Sequence, residues 1–141
     1  MEFTSENGIF LNGKAQIVEM LQIMDSGSKE KLLRNIRMRN PALANELAEQ
    51  SLTFDDLDNL ADEDIINLFS YIKAPIIGVA LKNVKVEFQR RVLGLAPRTF
   101  AEEAYTIMTK DLRDEKAMIK KAQQKVIDTL VSLSRRGRVS L

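Results

Sequence analysis

Cysteine and histidine are both absent from this chain of 141 residues. Their absence removes disulfides, thiolate nucleophiles, imidazole bases and the usual zinc ligands together. A chain without cysteine fits a reducing compartment. No apolar run approaches the roughly 20 residues needed to span a bilayer, and the N-terminus lacks a basic stretch followed by an apolar core. The expectation is a cytosolic protein without direct membrane insertion. Glycine-rich phosphate loops are missing, and no segment alternates apolar and polar residues with period two, as a half-buried strand would. The chain therefore reads as all-α, and nothing in it reads as an active site or a cofactor site.

What is present is ordinary for a folded domain: 45% hydrophobic and 29% charged residues, enough for a sizeable core. Net charge is only +1, but it is unevenly spread. Residues 1–50 hold 6 basic and 7 acidic side chains, residues 51–83 hold 2 and 6, and residues 84–141 hold 13 and 7. Such asymmetry is the footprint of electrostatic pairing with a partner or a neighbouring copy; its plain alternative is a set of solvated helix faces.

Local signals describe successive helices. Asn12 and Gly13 tolerate positive φ and mark a turn or hinge. Ile17, Met20, Leu21 and Met24 then recur at helical spacing. Ser28 is placed to cap a second helix carrying Leu32, Leu33 and Ile36. Asn40 followed by Pro41 is a cap with proline at the first helical position, opening a helix that buries Leu43 and Leu47. Three short helices in this span suggest one armadillo-type unit over residues 14–50, after a lead segment over 1–13. A lone unit of this kind leaves apolar surface uncovered, and Ile17, Met20, Leu21, Leu32 and Leu43 are expected to offer it to a neighbouring repeat.

Residues 51–58 read as an extended linker, with Leu52 and Phe54 as its apolar anchors. Residues 59–141 read as a larger helical unit. Asp62 is expected to cap a helix bearing Ile65, Leu68, Phe69 and Ile72. Further helices follow over residues 76–82, around Phe88, Val92 and Leu93, and after Pro97. The last runs from about Glu115 to Arg136 and closes on Gly137.

Three constellations invite chemistry. The carboxylates Asp55, Asp56, Asp58, Asp62, Glu63 and Asp64 suit a hard cation, but the turn glycine of a calcium loop is missing, and acids at helix N-termini are favoured anyway. Glu102 and Glu103 are adjacent on a helix and point roughly 100° apart, so they do not converge on one substrate. Lys120, Lys121, Lys125, Arg135, Arg136 and Arg138 could track phosphates, but no aromatic side chains are interleaved for base stacking, so nucleic acid is not expected as a partner.

Set in order along the chain, several segments resemble the C-terminal region of the FliG family of flagellar motor switch proteins. Asn12 and Gly13 fall where the family has a Gly-Gly hinge. Residues 41–47 resemble its Pro-Glu-Leu-Ala segment. Residues 51–54 occupy the place of a Met-Phe-x-Phe link. Val79, Ala80, Leu81 and Lys82, and then Ala122, Gln123, Gln124 and Lys125, complete the pattern, from about Asn12 to Leu141.

The resemblance implies an armadillo-like unit followed by a terminal six-helix unit. It also implies a rotor component at the cytoplasmic face of the inner membrane. Its partners would be neighbouring FliG-like subunits, other switch-complex proteins and the cytoplasmic loop of the stator. Lys82, Arg98, Glu102 and Glu103 are then the candidate stator-facing charges, with Thr99 the rival of Arg98 for the basic position that opens the torque helix. The family's acidic doublet falls on Thr106 and Ile107, both uncharged, and its Pro-Val-Arg segment falls near Asp114, Glu115 and Lys116. The family's N-terminal and middle regions have no counterpart here, so the resemblance implies that this chain is a portion of a longer protein. Two other readings share the fold: a divergent paralogue with a structural or regulatory role, and the helical cytosolic domain of a magnesium transporter or sensor, for which only the Asp cluster speaks.

Overall fold

The computed structural model describes residues 7–140, with side chains from residue 13 onward. Among the described residues every regular element is helical. The chain separates into two compact units between Thr53 and Phe54.

The first unit holds α1 (Asn7–Ile23), α2 (Ser26–Arg39) and α3 (Pro41–Gln50). Leu21, Leu33, Ala44 and Leu47 form its buried centre. Ile17, Val18, Leu32, Ile36 and Leu43 close around Leu21, Leu33 and Leu47. An ion pair between Lys14 and Glu46 ties α1 to α3.

The turn expected at Asn12 and Gly13 is absent, because α1 runs through both. Glycine costs only about 1 kcal/mol in a helix interior, and Gly13 is buried, where a side chain would need room. The cap of α2 is also one turn earlier than Ser28. Asp25 accepts the Ser28 backbone N–H at 2.9 Å, and that bond holds its carboxyl below the usual range. The cap of α3 is the expected one, with Asn40 Oδ1 accepting the Leu43 N–H at 3.1 Å and Pro41 just inside. We expect Asn40→Ala to lower stability by about 1 kcal/mol, read as a shift in the urea midpoint at unchanged slope.

Leu21 is not part of an outer apolar surface: it is 1% exposed and lies inside the unit. Ile17, Leu32 and Leu43 are half-buried against it. Among the described side chains, the large apolar ones that α1 and α2 expose are Met20, Ile23 and Met38.

The second unit opens with a 3-10 turn over Phe54–Asn59, followed by α4 (Asp62–Leu68), α5 (Ala74–Ala80), α6 (Val86–Leu95), α7 (Arg98–Met108) and α8 (Glu115–Arg135). The 3-10 turn shortens the expected linker. Phe54 and Leu57 are buried, and the Phe54 ring meets Phe88 edge-on at 5.8 Å. Burial of two large apolar side chains outweighs the extended preference of the residues before them.

Asp62 does not cap α4. It is the first helical residue after Ala61, because its carboxylate turns to Arg91 of α6 at 2.8 Å. Helix α5 is the axis of the unit: Ala74, Ile77, Gly78, Val79 and Ala80 are all buried, and it packs on α7 and α8. Helix α8 ends as Gly137 requires. Gly137 has φ 73°, its N–H donates to Ser134 O at 3.0 Å, and Arg138 N–H donates to Leu133 O at 2.9 Å. These two hydrogen bonds close the last carbonyls and return the chain so that Val139 is buried.

Candidate functional site

The four candidate charges separate into two groups. Lys82 follows α5, and its side chain is only 4% exposed. The ammonium donates to Met108 O at 3.1 Å and to Lys110 O, both at the C-terminal end of α7. It also pairs with Glu115 at the start of α8 at 3.1 Å. The free carbonyls at a helix C-terminus carry partial negative charge, so a cation there is favoured. Lys82 therefore pins the corner between α7 and α8, and its charge is spent inside the unit. It does not lie on an outer face with the other three.

Arg98, Glu102 and Glu103 do face solvent, all on α7. Arg98 is 92% exposed and its Nε lies 3.0 Å from Glu102 Oε1 one turn on. Such an exposed pair contributes little to stability, about 0–1 kcal/mol. Thr99 is also exposed. Farther along the same face, Tyr105, Thr106 and Thr109 are exposed and uncharged. Thr106 Oγ1 donates back to Glu102 O at 2.9 Å, satisfying itself within the helix. Ile107 turns inward and is half-buried. The outer face of α7 thus carries one basic and two acidic side chains in its first half and polar groups after it.

Why α7 can lie where it does is answered by Gly78. A Cβ at that position would stand 2.4 Å from Ala104 O and 2.9 Å from Ile107 Cβ. The absent side chain lets α5 and α7 approach backbone to backbone. The carbonyls at the end of α5 are taken by two glutamines, Gln89 Nε2 on Leu81 O at 2.7 Å and Gln123 Nε2 on Ala80 O at 2.9 Å. Gln123 thereby joins the two segments, 79–82 and 122–125, that stood out in the sequence.

Arg91 is the functional-looking residue that the sequence did not single out. Its guanidinium donates to Asp58 O at 2.8 Å, to Leu60 O at 2.6 Å and to Asp62 Oδ1 at 2.8 Å. The Asp62 bond raises its pKa above the ordinary value. This fork fastens α6 to the 3-10 turn and to α4, and it occupies two of the six clustered carboxylates. Among the described residues no group of three or more acidic side chains is arranged to hold a metal ion. Among them, too, no helix is long and apolar enough to cross a membrane. Leu52 is half-buried near the end of the first unit, whereas Phe54 is buried in the second.

The chain is similar throughout to curated flagellar motor switch proteins FliG. It is 24% identical to that of Aquifex aeolicus over 97% of this chain, which is 42% of that protein. It is 20% identical to that of Borreliella burgdorferi over 96% of this chain and 40% of that protein. The chain thus spans less than half the length of these relatives. A crystal structure of a FliG fragment from H. pylori superposes with a TM-score of 0.67 at 20% identity, covering 88% of this chain and 55% of that one. Full-length FliG from Aquifex aeolicus superposes with a TM-score of 0.59 at 24% identity, over 89% of this chain and 39% of that one. The family model of the FliG C-terminal domain matches residues 34–141, from α2 to the last residue, and the chain belongs to the FliG C-terminal domain family.

Proposed function

We propose that this chain acts in a bacterial flagellar motor as a non-enzymatic part of the switch complex. In this reading the first unit stacks in armadillo fashion on a neighbouring subunit of the ring. The second unit turns α7 toward the cytoplasmic loop of the stator, at the cytoplasmic face of the inner membrane. Family membership carries the motor assignment, and the exposed Arg98, Glu102 and Glu103 on α7 support the stator contact. Among the described side chains, Met20, Ile23 and Met38 are exposed, apolar and available for stacking. The burial of the Lys82 side chain supports leaving it outside the contacting set.

Arg98→Glu is expected to leave the melting temperature within a few degrees of the parent, since an exposed pair is worth about 0–1 kcal/mol. The same variant is expected to reduce swimming, with partial recovery when an acidic stator residue is reversed, because complementary charges set register and specificity. Normal swimming by a folded Arg98→Glu protein would overturn the stator contact. It would favour a second reading, a paralogue whose role is structural or regulatory. One observation already leans that way: Thr106 and Ile107 leave the second half of α7 without charge, and Ile107 points inward.

A further inference from the structure

Arg91 on α6 ties down the 3-10 turn over Phe54–Asn59, where the chain enters the second unit. Its guanidinium donates to Asp58 O and Leu60 O and pairs with the carboxylates of Asp58 and Asp62. These bonds lie near the surface, since the Asp58 and Asp62 side chains are 56% and 62% exposed. Water can therefore replace each bond as it breaks.

Underneath, the turn is loosely seated. Of its six residues Phe54 and Leu57 are buried, while Asp55, Asp58 and Asn59 are exposed. A void of about 10 Å³ is bordered by Phe54 and Leu57 of the turn, by Phe88 and Val92 of α6 and by Val126 of α8. Its lining is apolar throughout, so it offers a water molecule no partner. The side chains around it forgo part of their dispersion contacts. Few buried apolar contacts under solvent-reachable polar ties describe a segment that opens at low free energy, without the rest of its unit.

We propose that Phe54–Asn59 is a strap and Arg91 its clasp: release of the guanidinium fork lets the strap lift while α5, α7 and α8 stay folded. Six residues span roughly 12 Å at the 3-10 rise of about 2 Å per residue and reach roughly 20 Å when extended. Lifting the strap thus lengthens the lead into the second unit, and the clasp sets how often the longer state is visited. The device is independent of the motor reading, because it concerns only the opening of this chain's own backbone.

The test is amide hydrogen exchange of the full chain, read at residues 57–60 and, for reference, along α5 and α8. In the parent the strap amides are expected to exchange faster than those of α5 and α8. Arg91→Met should speed the strap about tenfold, the size of a lost charged hydrogen bond, with a much smaller change in α5 and α8. Arg91→Lys keeps the charge without the planar fork and should act like Arg91→Met. Strap amides protected as strongly as α8 in the parent, or unchanged by Arg91→Met, would overturn the proposal. So would equal acceleration of strap, α5 and α8, the mark of a merely structural arginine, or an Arg91→Lys strap that exchanges like the parent's. If Arg91→Met does not fold, the parent decides. Raising salt from about 0.01 M to about 1 M shortens the screening length from about 30 Å to about 3 Å. Exchange should then quicken in the strap and not in α8; a strap indifferent to salt refutes the clasp.

Discussion

Replacing Lys82 by Glu is expected to unfold the second unit well below the melting temperature of the parent. The new carboxylate would face the Met108 and Lys110 carbonyls and the Glu115 carboxylate. Three acceptors and no donor would then crowd a position that is 4% exposed. Breaking a buried ion pair in this way costs about 3–5 kcal/mol. For a domain of this size that is a fall of more than about 10 °C. Lys82→Met keeps the bulk and removes the charge. Since Glu115 and Lys110 border solvent, water can take over their bonds, and the loss should be nearer 1–2 kcal/mol. Calorimetry of the two variants orders them: parent, then Met, then Glu. A Lys82→Glu protein that melts with the parent would show the ammonium to be free for a partner. Motility assays on Lys82 variants therefore require a folding control, because loss of swimming alone would report collapse of the α7–α8 corner.

The second large effect concerns Gly78. Gly78→Ala adds a methyl group 2.4 Å from Ala104 O. That neighbour is backbone inside a helix and cannot rotate away, so α5 and α7 must part along the most extensively packed contact of the unit. Overpacking of this kind costs about 1–3 kcal/mol and sometimes more, against a helix-propensity gain of about 1 kcal/mol. The expected net loss is about 1–2 kcal/mol, with part of the displacement passed to the exposed face of α7. Gly94→Ala on α6 is the matched control. Its Cβ would meet nothing within 4 Å, so only the propensity gain of about 0.4–1 kcal/mol should remain. Denaturant midpoints of opposite sign for the two glycines would establish close helix approach as the reason for Gly78. A neutral Gly78→Ala would refute it.

Much of the architecture was legible because it is encoded over three to seven neighbouring residues. The spacing of Ile65 and Leu68, the Asn40 cap with Pro41, and Gly137 at the end of α8 all act through local backbone hydrogen bonds and one helix face. The order of the segments around 79–82 and 122–125 likewise pointed to the FliG C-terminal domain family, which the family match bears out. The failures are also local in kind. Asn12 and Gly13 favour a turn only where nothing else decides, and the surrounding helix prevailed. Asp25 took the cap from Ser28 because its carboxylate reaches the Ser28 N–H from outside the first turn.

The chain order by itself determined an all-helical protein without cysteine or histidine, with segments in the order of the FliG C-terminal domain family. Only the tertiary structure decided which charges are available. Lys82 and Arg98 carry the same sign and were equal candidates, yet one is folded onto the end of α7, 26 residues from Met108 in sequence, and the other is 92% exposed. Asp58 and Asp62 stood in a carboxylate cluster whose partner the sequence did not name; Arg91, about 30 residues on, holds both. A charge in the sequence states only its sign. Its solvation, and so its freedom to meet a partner, depends on groups brought close by packing, whose separation along the chain leaves no local signature.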